Sequence, residues 1–327
     1  MFLETSLLFK TIIILSAQLG IVIAVCFYCL YRARIAYETN TSFLGLCFRG
    51  AVNMQGKLDL ILEGTASPHS FTLKPSHAKM LEEADIIFWV DKDLESFLEK
   101  PLKSIPKKAK IVTLMELSNL EILKFREKNI YGGHDDHDDH DKHSKDKHDD
   151  HDKHGHAHAH GEFDVHIWLD PFNAKKIVEE VAHQLADLDP KNSQFYKNNA
   201  KKTVSKLDEM IKEIDKSINK KASFVTFHDA YQYFEKRFGI EALGALTINT
   251  DIQPGAKQIS EIQELVEDRK IKCIFSEPQF NPKLINMIAK NTGAKTGILD
   301  PLGSSYKPGE KLYFNLIKDL YKKLNKC

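Results

Sequence analysis

Short apolar runs alternate with amphipathic stretches along the chain from residue 58 to its end. Short apolar runs bounded by turn residues are typical of strands buried in a mostly parallel sheet, and the stretches between them have the spacing of helices. The alternation predicts an α/β fold built from successive strand-helix units. The predicted strands are Leu58–Leu62, Ile86–Val90, Ile111–Leu114, Ser223–Phe227, Ala242–Thr247, Cys273–Ser276 and Thr296–Leu299.

Helical spacing is clearest in the middle of the chain, after Asp189 and Pro190. Apolar side chains recur there at threes and fours in a lysine-rich background, which predicts one long amphipathic helix. Such a helix is either a stiff connector between two lobes or an ordinary surface helix. Shorter helices are predicted over Pro75–Ala84, Gln258–Asp268 and Pro282–Asn291.

The chain length favours two lobes, because 327 residues exceed the roughly 250 that a single core usually serves. We expect an N-terminal lobe over residues 48–189, a linking helix over 190–220 and a C-terminal lobe over 221–327. Each lobe should hold a mostly parallel sheet flanked by helices. Basic and acidic residues are equal in number, 46 of each, so the composition gives no support to a nucleic-acid partner.

Residues 1–47 contain an apolar segment, Thr11–Leu30, of about the length that a membrane span needs. It is interpreted as an export signal or membrane anchor, with a buried core helix as the alternative. Arg32 and Arg34 follow the segment. By the positive-inside rule they favour a cytoplasmic location for the rest of the chain, which conflicts with export.

A low-complexity tract of histidine, aspartate and lysine covers residues 134–160. It contains no large apolar side chain to bury, so a disordered loop is predicted. Dense imidazoles are good ligands for zinc, copper and nickel, which makes the tract an auxiliary metal collector or else a solvating linker. Its histidines are His134, His137, His140, His143, His148, His151, His154, His156, His158 and His160.

Three isolated histidines, His69, His166 and His228, lie at or near the ends of predicted strands or in loops. Ligands of parallel α/β proteins gather at the carboxyl ends of strands, so these side chains are candidates for one shared site. A lone histidine in such a place is more often structural, but three of them beside a histidine tract favour a metal site. Three imidazoles leave one position of a tetrahedral zinc site for water or a carboxylate, and Asp300 is the best candidate, although it also suits a turn or helix cap.

The five cysteines do not have the paired spacing of a structural zinc site. Cys26 and Cys29 lie within the apolar segment and are interpreted as incidental. Cys273 and Cys327 are either a disulfide, which indicates an oxidising compartment, or two free thiols.

With these residues identified, the chain resembles the metal-binding proteins that serve ABC importers, and within them the zinc-uptake proteins of the ZnuA type. The resemblance extends from about Leu58 to the C-terminus, but the short isoleucine-lysine-proline motif of the family's first strand is absent from residues 31–57. The matching motifs are GTASPHSFTLKPS at Gly64–Ser76, EADIIFWV at Glu83–Val90, DVHIWLDP at Asp164–Pro171, FVTFHDAYQYF at Phe224–Phe234, SEPQF at Ser276–Phe280 and LDPLG at Leu299–Gly303.

The resemblance implies two α/β lobes joined by one long helix, with Zn²⁺ held between them by His69, His166 and His228. It implies a disulfide between Cys273 and Cys327 and, less directly, Asp300 as a fourth ligand. The histidine-rich insertion is similar to that of zinc-specific members. We therefore expect a monomeric, non-enzymatic protein, periplasmic or anchored outside the cytoplasmic membrane, that delivers zinc to an ABC permease and its ATPase.

Three other functions stay open at this point. A manganese or iron importer component is the alternative if Asp300 coordinates the metal directly, since an oxygen ligand suits those ions. A zinc hydrolase is the second, because three histidines and an open position also describe a catalytic metal, with Asp229 or Glu277 as general base. A surface adhesin or zinc buffer without a transporter is the third.

Overall fold

The computed structural model describes residues 60–62, 66–126, 130, 161–247, 250, 254–307, 309 and 311–327. The apolar segment Thr11–Leu30, residues 31–57 and the tract 134–160 lie outside the described residues, so the statements made about them stay predictions. Within the described ranges, no helix combines the length and the apolar character that crossing a membrane requires.

Six strands in the described part of the chain form two sheets, and every neighbouring pair is parallel. The first sheet has the order β1-β2 and the second has the order β4-β3-β5-β6. The predicted α/β class is therefore confirmed. The strands are β1 (Ile86–Trp89), β2 (Lys110–Thr113), β3 (Phe224–His228), β4 (Ala245–Thr247), β5 (Cys273–Ser276) and β6 (Lys295–Ile298).

One predicted strand, Leu58–Leu62, is wrong over its described residues, because residues 60–62 form no strand. Ile61 and Leu62 are nevertheless buried, at 3% and 0% exposure. The apolar run therefore reflects packing into a core by irregular backbone, which periodicity alone does not distinguish from a strand.

The shorter helices agree with prediction to within one or two residues at their ends. The N-terminal part contains α1 and α2, and the C-terminal part contains α5 to α8, which alternate with strands β3 to β6. Helices α3 and α4 stand between the two sheets in the chain. The helices are α1 (Pro75–Glu83), α2 (Ser96–Ser104), α3 (Pro171–Leu188), α4 (Ser193–Ser217), α5 (Gln232–Phe238), α6 (Ala256–Asp268), α7 (Lys283–Thr292) and α8 (Leu312–Leu324).

The predicted long central helix is α4, and it packs along α3. Its buried side chains include Leu207, Met210 and Ile214, spaced by three and four residues as the amphipathic pattern predicts. Helix α3 begins at Pro171, and the Asp170 side chain caps it by accepting a hydrogen bond from the Phe172 N–H. The paired helices connect the two sheets.

The fully buried Trp168 ties the turn before α3 to the C-terminal part of the fold. Its indole Nε1 donates to the Pro301 carbonyl at 2.9 Å, and the Tyr313 hydroxyl donates to the Trp168 carbonyl at 2.9 Å. Both contacts join residues far apart in sequence and satisfy polar groups in the interior. They fix the position of residue 166, two places earlier in the chain.

Cys273 and Cys327 form a disulfide with a Cα–Cα distance of 5.8 Å. The bond joins the first residue of β5 to the last residue of the chain, just beyond α8. The pairing implied by the family resemblance is therefore confirmed.

Candidate metal centre

The three predicted ligands come from three kinds of local structure. His69 lies in a 3-10 turn, Pro68–Ser70, that follows Ser67, whose hydroxyl accepts a hydrogen bond from the His69 N–H. His166 immediately precedes a 3-10 turn, Ile167–Leu169, and His228 is the last residue of β3. Short turns and a strand end leave these side chains outside regular packing faces, where they can meet.

The structure brings the three imidazoles together. The ring centroids of His69 and His166 are 5.5 Å apart, those of His69 and His228 are 5.3 Å apart, and those of His166 and His228 are 4.8 Å apart. One nitrogen from each ring lies within 4.8 Å of the other two. Tetrahedral zinc with Zn–N bonds of about 2.0–2.1 Å needs nitrogens roughly 3.4 Å apart, so small side-chain movements suffice to bind an ion.

His166 is oriented by Asp164, two residues before it. Asp164 Oδ1 lies 2.7 Å from His166 Nδ1 and also accepts a hydrogen bond from the His166 backbone N–H at 3.0 Å. Both side chains are buried. A carboxylate on Nδ1 places the proton there and leaves the lone pair on Nε2, which is the arrangement that metal-binding histidines commonly have.

His228 has a similar, looser arrangement with Glu277, whose Oε2 lies 3.6 Å from His228 Nδ1. The Tyr231 hydroxyl donates to Glu277 Oε1 at 3.0 Å and so holds the carboxylate in place. The other ring nitrogen, His228 Nε2, is buried and has no hydrogen-bond partner among the described residues. A buried imidazole nitrogen in that state fits a metal ligand.

Charged groups buried beside the histidines have shifted acidities. Burial raises the pKa of Asp164 to about 7, although the His166 N–H and the Arg126 guanidinium act in the opposite direction. Burial also raises the pKa of Glu235 to about 7, again against the influence of Arg126. Arg126 donates to Asp229 Oδ1 at 2.8 Å and to Glu235 Oε2 at 2.6 Å. This guanidinium is therefore the cation that offsets the buried acidic groups near His228.

Asp300 does not join the group of converging metal ligands, which among the described residues consists of the three histidines. Its carboxylate accepts hydrogen bonds from the Leu302 N–H, the Ser304 hydroxyl and the Gln279 amide. These hydrogen bonds suit the turn-forming role that was the alternative to coordination, and a direct bond from Asp300 to the metal stays a prediction. The three rings instead border a cavity of about 10 Å³. The remaining lining residues are Ser67, Pro68, Glu277, Gln279, Phe280, Pro301 and Leu302.

Comparison with known protein families tests the resemblance to zinc-uptake proteins that the sequence motifs indicate. The model of the ZnuA family, described as periplasmic zinc-uptake complex component A, matches residues 41–327. This chain belongs to the ZnuA family.

Curated members of the ZnuA family match most of the chain. The high-affinity zinc uptake system protein ZnuA of Brucella abortus is 43% identical over 284 residues, which cover 83% of this chain and 85% of that protein. The protein of the same name from Haemophilus ducreyi is 33% identical over 322 residues, which cover 98% of this chain and 99% of that protein. The family resemblance stated from the motifs is confirmed.

Solved structures confirm the fold. A crystal structure of ZnuA matches with a TM-score of 0.68 and 18% identity, and covers 97% of this chain and 99% of its own. The laminin-binding protein of Streptococcus agalactiae, described as having adhesin and metal-transporting activity, matches with a TM-score of 0.67 and 22% identity over 97% and 99% of the two chains. The predicted architecture of two lobes joined by a long helix agrees with these neighbours.

Several residues of this ZnuA-family site carry roles that the sequence did not predict. Asp164 had a local signal, since a carboxylate two residues before a histidine can reach its Nδ1. The sequence suggests Glu277 only as a general base, and it gives no role to Gln279. Arg126 has no local signal, because its partners lie more than a hundred positions away. The histidines of the tract 134–160 lie outside the described residues, so their auxiliary metal binding stays a prediction.

Proposed function

We propose that this chain binds Zn²⁺ with His69, His166 and His228 outside the cytoplasmic membrane and delivers it, as a monomer, to an ABC-type permease and its ATPase. The observation that carries the proposal is the convergence of three imidazole nitrogens within 4.8 Å of one another. Membership in the periplasmic zinc-uptake family supports the compartment and the transport role. The disulfide between Cys273 and Cys327 suits an oxidising compartment.

The ligand set favours zinc over manganese or iron. Three nitrogen donors suit a borderline ion such as Zn²⁺, whereas harder ions prefer carboxylate oxygens. Asp164 Oδ1 is hydrogen-bonded to His166 Nδ1, and Glu277 Oε2 lies 3.6 Å from His228 Nδ1, so both carboxylates approach the ring nitrogens that face away from the metal position. Asp300 is engaged by its own loop.

Both general bases suggested for the hydrolase alternative, Asp229 and Glu277, are engaged by other groups in this geometry. Asp229 Oδ1 is bound to Arg126, and Glu277 accepts the Tyr231 hydroxyl while it lies against His228. A general base must reach a water on the metal and be available to take its proton. These contacts support a binding protein, in which coordination and release are the whole of the chemistry.

Zinc titration of three full-length proteins tests the proposal: the wild type, a deletion of residues 134–160, and the triple variant His69→Ala, His166→Ala and His228→Ala. A competing chelator gives the affinity, and native mass spectrometry gives the number of bound ions. We expect one tight site that survives the deletion and is lost in the triple variant. Tight binding that disappears with the tract instead would make the protein a histidine-rich zinc buffer.

A further inference from the structure

Gln279 lies between the Asp300 carboxylate and the cavity that the three histidines border. Its Nε2 donates a hydrogen bond to Asp300 Oδ1 at 3.2 Å. Its Oε1 is buried and, among the described residues, receives no hydrogen bond. Buried carbonyl oxygens in folded proteins almost always have a donor, so a donor from outside the chain is expected at this oxygen.

The chemistry of Asp300 decides which end of the Gln279 amide points away from this carboxylate. An ionised carboxylate only accepts hydrogen bonds, so the amide must present its NH₂ group to Asp300. The carbonyl oxygen then lies on the opposite side of the amide. Gln279 lines the cavity, and its carbonyl oxygen is a buried neutral acceptor without a donor among the described residues, so we expect this oxygen to serve the cavity.

Asp300 is held firmly enough to impose this orientation. Its Oδ2 accepts hydrogen bonds from the Ser304 hydroxyl at 2.9 Å and the Ser305 N–H at 3.2 Å. Its Oδ1 accepts a third from the Leu302 N–H at 3.1 Å. The loop after β6 thus fixes the carboxylate, and the carboxylate fixes the Gln279 amide.

The backbone that carries Gln279 is also fixed. The Phe280 N–H donates to the Glu277 carbonyl at 3.2 Å, and the Phe280 ring stacks on Phe227 with centroids 4.9 Å apart. Glu277 in turn lies against His228. The contacts of Glu277 and Phe280 therefore hold the backbone of Gln279 in place on both sides of this residue.

We propose that Gln279 Oε1 holds, by accepting its hydrogen bond, a water molecule in the fourth coordination position of the bound Zn²⁺. Three imidazoles leave one tetrahedral position open, and Gln279 lines the same cavity that the three rings border. Zinc makes a bound water more acidic and so a stronger donor. The inference rests on the proposed function, since it concerns the same three-histidine site.

A neutral acceptor completes the site without adding a negative charge to the metal. A carboxylate in the same place would bind Zn²⁺ directly and would also admit harder ions such as Mn²⁺. With Gln279 in this place, the ligands of the ion are three nitrogens and one exchangeable water, which suits a protein that must give up its ion. Asp300 acts through Gln279 and is a positioning residue.

Replacement of Gln279 in the full-length protein tests the inference. Gln279→Leu removes the acceptor at similar volume, and Gln279→Asn withdraws it by one methylene. With one equivalent of Co²⁺ as a visible-light probe of coordination, we expect altered d–d bands in both variants. The affinity for Zn²⁺ should fall roughly tenfold, as for other groups that orient metal-bound atoms. Gln263→Leu, at the surface of α6, is the matched control and should change neither quantity.

The variant Asp300→Asn tests the positioning role, because an asparagine can donate to the amide and so lets it turn over. We expect it to weaken Zn²⁺ binding in the wild-type background and to add nothing in the Gln279→Leu background. Thermal unfolding of the metal-free proteins separates these effects from a folding defect.

Two results would overturn the inference. One is wild-type Co²⁺ bands and Zn²⁺ affinity in both Gln279 variants, and the other is a crystal structure with Oε1 bonded directly to zinc. Either result leaves the three-histidine site in place. A wild-type protein without a tight three-histidine site would instead contradict the proposed function.

Discussion

Arg126 donates a hydrogen bond from Nη1 to Asp229 Oδ1 at 2.8 Å, directly beside His228 in the chain. The same guanidinium reaches Glu235 Oε2 at 2.6 Å. Both carboxylates are 2% exposed, whereas Arg126 is 18% exposed. The segment that carries Arg126 leads into the histidine-rich tract, so one side chain joins that segment to the strand end that presents His228.

Removal of this cation should destabilise the protein strongly. Arg126→Met leaves two buried carboxylates without their partner, and loss of one member of a buried pair typically costs 3–5 kcal/mol. We expect a decrease of about that size in the free energy of unfolding, measured by urea denaturation of the metal-free protein at pH 7.5. Lys124→Met is the control, since Lys124 pairs with Glu162 at an exposed site, where such pairs contribute about 0–1 kcal/mol. Equal effects of the two substitutions would contradict the role given to Arg126.

Asp164→Asn should weaken zinc binding while leaving all three imidazoles in place. The asparagine does not hold the His166 Nδ1 proton as a carboxylate does, and loss of such a partner typically costs 10–100-fold in metal affinity. Competition with a chromophoric chelator measures the change in Kd. Asp187→Asn is a matched control, because Asp187 lies 3.7 Å from His183 in an exposed pair on α3 that is not part of the site. The prediction fails if Asp164→Asn binds zinc as the wild type does.

Glu235 should make stability fall as the pH rises between about 4.5 and 7. Burial raises its pKa from the ordinary 4.5 to about 7 in the folded protein, so the folded state binds the proton more tightly than the unfolded state. The stabilisation is present in full below pH 4.5 and is lost as the pH rises through 7. The variant Glu235→Gln has no such proton. We expect the wild type to lose roughly 3 kcal/mol relative to it across that window.

Urea unfolding at closely spaced pH values, on metal-free protein, measures this difference. Glu264→Gln, on the surface of α6, serves as the control and should run parallel to the wild type. A constant difference between the wild type and Glu235→Gln from pH 4.5 to 7 would show that the glutamate does not titrate in this range.

The disulfide should contribute substantially to stability. Cys273 and Cys327 are 54 positions apart, and a cross-link of that length removes about 4 kcal/mol of unfolded-chain entropy in the simplest treatment. The double variant Cys273→Ser and Cys327→Ser should therefore unfold at lower urea concentration than the oxidised wild type. Wild-type protein treated with a reductant is the comparison that keeps both sulfurs, and it should shift in the same direction. An unchanged midpoint in both would contradict the prediction.

The fold was predictable from the sequence where periodicity and burial agree. Helix α4 shows this best, since the spacing of Leu207, Met210 and Ile214 that predicts it is also the spacing that its packing uses. The stretch Leu58–Leu62 shows the limit, because its buried residues 61 and 62 belong to irregular backbone. An apolar run in the sequence predicts that the side chains are buried. Whether the run is a β-strand depends on backbone hydrogen bonds to a neighbouring strand, which the run itself does not reveal.

The candidate site was predictable as far as the three histidines, because strand ends and loops in an α/β chain converge at one edge. The group beside the fourth coordination position was not predictable, since Asp300 and Gln279 both have a side-chain oxygen and each lies shortly after the end of a strand. Which one meets the cavity depends on hydrogen bonds from Leu302, Ser304 and Ser305 that tertiary structure supplies. Arg126 illustrates the same limit, since its carboxylate partners are distant in the chain.

His228 ends β3, an interior strand that has β4 on one side and β5 on the other, whereas His69 lies on a partly exposed turn. The ligand His228 is therefore anchored in the sheet, whereas the ligand His69 is carried by a short turn. Adjustment to an ion of a different radius falls on the turn that carries His69. We therefore expect discrimination between ions by size to depend on the stiffness of Pro68–Ser70 more than on the strand.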